Sequence, residues 1–384
     1  MLIIIRKKIK FVFLFLICLA LGIGISHRNY SLKNYIIPIN SEINEQINCL
    51  LTNIIDTRNK ALLNNSPDTL GLLYNKEVRN GLWAYEHELK KMRYLHSWEE
   101  KQGIYYKDIS STVILRNLKK KNAGYSANLL VNTRYEYSYE DCPEMIEFFQ
   151  LGTYHSLDLM PTSQSEEEDL TLEELNLLIT REWYTDPFAD SLQLDKMKNE
   201  EIKETINSGV KKEAVEINER RKKALAYADK YCGAASLAEY NFQYNPDYRN
   251  YNHLGGDCAN FASQILYEGA NFSKNGNWNY SRGSGSNSWV NASAFNNYMI
   301  YSGRATTIAS GKYKDVLNAS YKLLPGDYIA YERKGKVCHV SVVTGADSKG
   351  YTLVNSHNTD RYRVPWDLGW SNSNIRFRLV RVHY

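Results

Sequence analysis

A chain of 384 residues is long enough for two domains of ordinary size. Its formal net charge of +4 is small for this length, so the composition does not indicate a nucleic-acid partner. The six cysteines are scattered, with no C-x-x-C pair and no His/Cys cluster, so we expect no disulfide framework, no metal site and no cofactor.

The N-terminal segment, residues 1–28, has the pattern of an export signal peptide. Four basic residues between Arg6 and Lys10 precede a mostly apolar run from Phe11 to Ile25. An uncleaved membrane anchor is the alternative, and the pattern does not separate the two. Either way, we expect a protein that is secreted or attached to the cell envelope. Membrane contact would then occur only through this segment, if it stays uncleaved.

Residues 40–190 show helical periodicity first and strand periodicity afterwards. Helices are predicted where apolar residues recur every three or four positions, around Ile43–Leu62, Pro67–Tyr74 and Leu82–Trp98. Strands are predicted in four segments rich in Tyr, Val, Ile and Leu: Gly103–Asn117, Gly124–Tyr137, Glu147–Met160 and Leu175–Trp183. Helices followed by an antiparallel sheet indicate an α+β domain.

This order of elements, with the closing segment Glu182–Phe188, resembles the cystatin-like cone fold of nuclear transport factor two and its relatives. The histidines of this region, His87, His96 and His155, stand singly in the sequence. They predict surface or core positions, so we expect no catalytic group in residues 40–190.

Residues 191–221 are dense in charge and almost free of aromatic residues. Ile202 and Ile206 lie here among Lys and Glu residues. Alternating charge of this kind is typical of a solvated face, so the sequence predicts a charged helical linker between two domains.

Cys258 follows a glycine pair, Gly255–Gly256, and opens an apolar run with helical spacing. Cys258, Ala262 and Leu266 fall at i, i+4 and i+8, and the run stops at Gly269. A thiol in the first turn of a helix lies where unpaired backbone N–H groups and the macrodipole favour negative charge, so its pKa should be low. We therefore predict a nucleophile. The alternative is a small buried apolar residue.

A base for this thiol is available on Val337–Val343, a run that reads as a strand. His339 shares one face of that strand with Ser341, and Cys338 lies on the other face. A Cys-bearing helix packed on an antiparallel sheet that carries the His is the papain-type arrangement. The predicted fold class is thus α+β, with a papain-like cysteine hydrolase domain over residues 222–384. A core histidine satisfied by backbone groups is the alternative for His339.

A third residue would hold the imidazole of His339 by a hydrogen bond. Asn355 and His357 lie on one face of the following strand, and either could do so. Asn355 resembles the Asn of papain.

Asp257 lies next to the nucleophile, and we expect it to cap the helix start. Trp278 and Trp289, near a Gly-rich loop, could stack on sugar rings or line a peptide groove, or belong to mobile surface.

Residues 222–384 resemble the putative amidase domain family of papain-like bacterial cell-wall hydrolases. The motifs that carry the resemblance are Tyr227–Tyr231, Tyr244-Asn245, Gly255–Gln264, Ser288-Trp289, Pro325–Asp327, His339–Val343 and His357–Asp360. The resemblance implies an amidase or peptidase that cuts an amide bond through Cys258 and His339, by way of an acyl-enzyme. Peptidoglycan or another amide would be the substrate. Because His357 matches the family's His-x-x-Asp signature, the resemblance favours it over Asn355.

The alternative function is non-catalytic. A vestigial hydrolase fold could bind the cell wall, or could join a spore or envelope assembly through the cone-like domain. A complete Cys258/His339 pair favours the enzyme, since a binding module would not need it.

Overall fold

The computed structural model describes residues 41–121, 124–161, 177–188, 199–208, 216–370 and 373–384. The predicted export signal or anchor at residues 1–28 lies outside these ranges. Among the described helices, none has the length and apolar character needed to cross a membrane.

The described part of the N-terminal half contains three helices and four strands, as the periodicity predicts. The helices are α1 (Ser41–Leu63), α2 (Pro67–Gly71) and α3 (Arg79–Gln102), and the strands are β1 (Ile104–Lys121), β2 (Gly124–Tyr139), β3 (Cys142–Pro161) and β4 (Leu177–Trp183). The helix α1 buries Ile47, Leu51 and Ile54, one helical face, against the sheet. Gly103 ends α3 with a positive φ of 67°, a conformation that glycine adopts without strain.

The C-terminal half carries short helices around a second group of strands. Its helices are α4 (Asn199–Asn207), α5 (Glu219–Lys230), α6 (Cys258–Gln264, continued as a π-helix over Ile265–Gly269), α7 (Asn287–Val290), α8 (Ala292–Tyr301) and α9 (Tyr313–Ser320). Its strands are β5 (Tyr280–Ser281), β6 (Ser284–Gly285), β7 (Ala305–Gly311), β8 (Tyr328–Arg333), β9 (Lys336–Ala346), β10 (Thr352–Ser356), β11 (Asp360–Pro365) and β12 (Ile375–Val382). The mixture of helices and antiparallel strands confirms the predicted α+β class.

One continuous antiparallel sheet joins the two halves. Its described strands follow the order β1-β2-β3-β11-β10-β9-β8-β12-β7, with β4 also paired to β3. The junction is the pairing of β3 with β11, where Gly152 lies opposite Asp360 and Leu151 opposite Arg361. The proposed boundary between residues 40–190 and 222–384 is therefore crossed by backbone hydrogen bonds.

A shared hydrophobic core also crosses that boundary. It packs Trp98, Tyr135 and Phe149 of the N-terminal half with Val343 and Trp366 of the C-terminal half. A second core lies between α6 and the other face of the C-terminal strands. A third lies under α1 within the N-terminal half. Two of the three cores thus belong to one half each, and the largest belongs to both.

The charged segment at 191–221 is only partly a solvated linker. Its described helix α4 buries Ile202 and Ile206 completely in the shared core. These residues lie at i and i+4, on one face of the helix, so two apolar side chains are enough to pack a helix whose other faces are charged against the core. Composition alone hid this face because only two apolar residues form it.

Candidate active site

The glycine pair before Cys258 forces the chain into a sharp turn at the start of α6. Gly255 and Gly256 have φ values of 109° and 127°, which residues with a Cβ rarely adopt. The turn places Cys258 as the first residue of the helix, as the sequence predicts. Its side chain points inward, and only 6 % of the residue is exposed.

Asp257 holds this turn together in a way that differs from the predicted cap. Its side chain makes no capping bond to the helix amides. One carboxylate oxygen accepts from the backbone N–H of Tyr251 at 2.8 Å and from Nδ2 of Asn260 at 2.8 Å. The other lies 2.6 Å from Nδ1 of His357. Asp257 therefore ties the preceding loop, the helix and the distant strand end to one point beside the thiol.

Two tryptophans secure the opposite side of α6. Trp289 donates from Nε1 to Oδ1 of Asn260 at 2.9 Å, and Trp278 donates to Oγ of Ser263 at 2.9 Å. Both rings are 0 % exposed. They are core residues under the Gly-rich loop, and neither can stack on a ligand from solvent. This overturns the reading of Trp278 and Trp289 as groove or mobile-surface residues.

The thiol of Cys258 is held in its neutral form by its surroundings. Burial raises its pKa to about 11, with backbone groups at Val340 and Ala259 opposing the rise and the Asp257 charge adding to it. The expected lowering by the helix start is therefore smaller than the effect of desolvation in this conformation. The prediction of a low thiol pKa is not met here.

A cleft opens over the thiol. It has a volume of about 560 Å³ and is lined by Cys258, the Gly255–Gly256 turn, Asn291 and the β8–β9 hairpin with Lys336 and Cys338. Cys338, on the face of the strand opposite His339, is exposed and lies on the cleft side. A cleft of this size can admit a peptide segment next to the nucleophile.

His339 lies on the opposite face of the sheet from Cys258. Val340 and Val342 pack in the same core as Cys258, whereas the His339 ring stacks on Trp370 at 5.0 Å, on the side of the shared core. Its Nε2 lies 3.2 Å from Oγ of Ser341. Burial, assisted by the charge of Arg361, lowers the pKa of His339 to about 3. The structure does not bring Cys258 and His339 together.

A β-bulge explains this placement. The pairing of β8 with β9 shifts by one residue between Tyr331–His339 and Glu332–Val337, which leaves Cys338 as the extra residue. Because side chains alternate between faces along a strand, a one-residue shift decides which neighbour faces the cleft. Cys338 takes that position here, and His339 faces the shared core.

Asn355 is fully engaged elsewhere. Its Nδ2 donates to the backbone oxygen of Ala228 at 3.2 Å and to Oδ1 of Asp229 at 3.1 Å. Its Oδ1 accepts from Oγ1 of Thr344 and from the backbone N–H of Arg363. Asn355 therefore fixes β10 to α5, and the structure does not place it against His339.

His357 is likewise engaged, but beside the nucleophile helix. Its Nε2 lies 2.7 Å from the backbone oxygen of Tyr231, and its ring stacks on Phe261 with centroids 3.8 Å apart. Burial lowers its pKa, but the hydrogen bond and charge of Asp257 outweigh burial and raise the pKa above the ordinary 6.5. With a carboxylate on one nitrogen and a carbonyl on the other, both nitrogens donate, as in an imidazolium. The structure separates His357 from His339 and joins it to Asp257.

The sequence analysis also missed a group of paired charges in the N-terminal half. His87 lies 2.7 Å from Asp186, and His155 lies 2.7 Å from Glu182. His96, the third histidine, lies 2.7 Å from Glu99. Two of these carboxylates, Glu182 and Asp186, lie in the closing segment Glu182–Phe188, but they are 27 and 99 positions from their histidines in the sequence, so no local pattern predicted the pairs.

The fold and the site together define an α+β protein with a thiol at a helix start beneath a cleft. In a comparison with protein families, residues 218–380 match the family described as a Putative amidase domain. The resemblance inferred for residues 222–384 is confirmed. An amidase domain implies an amide-bearing substrate and hydrolysis of a C–N bond. Comparisons with curated proteins and with solved structures gave no significant match.

Proposed function

We propose that the chain is a thiol-dependent amidase or peptidase of the cell envelope, with Cys258 as its nucleophile and a peptide amide of peptidoglycan as its substrate. The observation that carries the proposal is the position of Cys258. It starts a helix, beneath a cleft, within the region that matches the amidase family. A thiol that served only for packing would need neither the positive-φ glycine turn nor the cleft.

The proposed cycle has two steps. Sγ of Cys258 attacks the amide carbonyl, a C–S bond forms, the C–N bond breaks, and the amine leaves with the thiol proton. Water then attacks the thioester, which releases the acid and restores the thiol. Each step needs a group that accepts and returns one proton at the thiol.

His339 is the candidate for that group, but only after a change at the bulge. Moving the bulge by one residue along β9 would turn His339 toward the cleft in place of Cys338. In that position the ring would be solvated by the cleft, and its pKa would return toward the neutral range. The described conformation would then be a resting form of the enzyme.

A second candidate function is favoured by the geometry as described. With the His339 ring on the other face of the sheet and the thiol pKa raised to about 11, a protein fixed in this form would bind envelope peptide without cutting it. The two functions differ in whether new amino groups appear when the protein meets its ligand.

An assay of purified peptidoglycan that measures the release of free amino groups distinguishes the two candidate functions. We expect the wild type to release amino groups and Cys258→Ser to lose at least about 100-fold in rate, because a serine hydroxyl is far less ionised and less nucleophilic. His339→Ala should lose activity to a similar degree. Cys49→Ser and His383→Ala, at exposed positions, are the matched controls. Near-full activity in Cys258→Ser would exclude this nucleophile, and wall binding without hydrolysis by the wild type would favour the second candidate.

A further inference from the structure

The N-terminal half contains a second cleft, away from Cys258. It has a volume of about 480 Å³ and lies between α3 and the end of β4. One face of α3 lines it with Asn80, Trp83 and His87, at i, i+3 and i+7, and β4 contributes Glu182 and Trp183. A helix face and a strand end that converge on an open cavity form a built concavity of ligand size.

Two indole rings stand exposed in this cleft. Trp83 is 52 % exposed and Trp183 is 64 % exposed, although both belong to regular elements that could have buried them. The guanidinium of Arg79 lies 4.2 Å from the centre of the Trp83 ring. Large aromatic residues grouped in this way on a surface mark a binding site more often than single exposed ones do.

Charged side chains, almost entirely buried, lie behind the rings. Arg58 lies 2.8 Å from Glu182, and Lys91 lies 3.1 Å from Glu88. Tyr74 donates to Glu182 at 3.2 Å, and Tyr184 donates to Glu88 through a short hydrogen bond. Removing so many charges from water is unfavourable unless they are paired, and here they are.

The charges of this group balance. Each carboxylate has a partner: Glu182 has Arg58, Glu88 has Lys91, and Asp186 has His87, whose pKa the hydrogen bond to Asp186 raises against the effect of burial. Arg181, also at the cleft wall, is paired with Asp158 at 2.7 Å. Burial lowers the pKa of His155, the remaining histidine, and keeps it neutral. The charged residues that line the cleft are thus already paired, and a charged ligand would have to compete with those pairs. A neutral ligand with many hydrogen-bonding groups meets no such opposition.

We propose that this cleft binds a neutral saccharide. The C–H face of a sugar ring would pack on Trp83 and Trp183, whose flat apolar surfaces match it. Its hydroxyl groups would exchange hydrogen bonds with Asn80 and His87 at the cleft wall. The inference does not rest on hydrolysis at Cys258, and a saccharide site in the same chain would hold the amidase domain near a glycan.

Titration of the full chain with two neutral trisaccharides tests this. Chitotriose carries N-acetyl groups and cellotriose does not, so the pair separates recognition of the ring from recognition of the amide. Binding is followed by tryptophan fluorescence and by calorimetry. We expect at least one of them to bind with a Kd of about 1 mM or below, which is typical of a small, open site. Trp83→Ala and Trp183→Ala should each weaken it by about 10-fold.

Tyr301→Ala removes an aromatic ring that is 87 % exposed and does not line the cleft, and it is the matched control. Circular dichroism and the unfolding midpoint of each variant show whether the fold is kept, as we expect for exposed side chains. Glucuronate and tetramethylammonium serve as anionic and cationic probes. The proposal is overturned if neither trisaccharide binds at about 10 mM. It is also overturned if the Trp83→Ala/Trp183→Ala double variant binds like the wild type, or if a charged probe binds while both sugars do not.

Discussion

At the scale of single residues, the most informative finding is that His357 is hydrogen-bonded to Asp257 and not to His339. The sequence places it as an orienting partner for His339, and the family signature favours that role. In the structure its two nitrogens reach Asp257 and the backbone of Tyr231, so the ring clamps the turn that presents Cys258. From this position we expect the ring to act on the nucleophile only through the turn.

The raised pKa of His357 gives a test of this role. Protonation stabilises the folded state wherever the folded pKa exceeds the unfolded one, which is about 6.5. That stabilisation is complete below the unfolded pKa and is lost as the pH rises through the folded pKa. Replacing the ring by His357→Gln should lower the free energy of unfolding by about 1–3 kcal/mol near pH 6, and by less near pH 9.

Urea denaturation of wild type and variant at several pH values measures the difference. Burial raises the pKa of Asp360 to about 6 against the opposing charge of His357, so its pKa should rise further when His357 is replaced. Asp360 therefore titrates in the lower part of this range and differs between the two proteins, and the upper part is the cleaner comparison. His383→Gln, at an exposed position, is the control. A difference in stability that stays constant from pH 6 to pH 9 would contradict the imidazolium assignment.

At the scale of elements, the start of α6 depends on the Gly255–Gly256 turn. A Cβ at Gly256 would lie 3.0 Å from Nδ2 of Asn358 and would also carry an unfavourable φ of 127°. A Cβ at Gly255 would meet no atom within 4 Å, so only its φ of 109° opposes a substitution there. Alanine at Gly255 would therefore add backbone strain alone, whereas alanine at Gly256 would add both backbone strain and a close contact.

Gly256→Ala should lower the free energy of unfolding by about 1–3 kcal/mol, and Gly255→Ala by less. Both should reduce hydrolysis, because Cys258 moves with the turn. Gly276→Ala is the matched control, since its added Cβ would meet no atom within 4 Å and its φ lies outside the positive region. The measurement is urea unfolding with activity in parallel. Equal stability of Gly256→Ala and Gly276→Ala would mean that an alanine at position 256 adopts the turn conformation without strain.

At the scale of the whole molecule, the two halves share one sheet and one hydrophobic core, so we expect them to unfold as one unit. The sheet runs through the β3–β11 pairing, and a buried ion pair crosses the same boundary. Nζ of Lys101 lies 2.6 Å from Oδ2 of Asp367, with side chains 2 % and 0 % exposed. Trp98 donates to the same carboxylate at 3.2 Å. Residues 222–384 alone would lose these partners and expose one face of their sheet.

Lys101→Met should lower the free energy of unfolding by about 3–5 kcal/mol, because it leaves the Asp367 carboxylate buried without its cation. Adding Asp367→Leu should recover part of that loss. Lys222→Met, which removes an exposed partner of Glu219, should leave stability nearly unchanged. Unfolding followed by fluorescence and by circular dichroism should give one coincident transition. Two separate transitions in the wild type would restore the picture of independent domains.

The sequence by itself determined the local elements and the resemblance of residues 222–384 to the amidase domain family. The helices before residue 103, the four strands after it and the helix that begins at Cys258 follow from apolar spacing, glycine positions and strand-forming residues, all of which act over a few neighbours. The amidase motifs likewise stand within short stretches. For these features, the secondary-structure preference of each residue agrees with the preferences of its near neighbours.

Only the tertiary structure decided which side chains meet. Nearly every residue of β9 from Val337 to Thr344 is buried, so the strand has no polar face to show which side meets α6. One bulge residue, Cys338, then sets whether His339 faces the thiol or the shared core. The β3–β11 pairing and the charge pairs of His87 and His155 join residues about 30 to more than 200 positions apart, through forces that depend on distance in space. No local pattern carries that information.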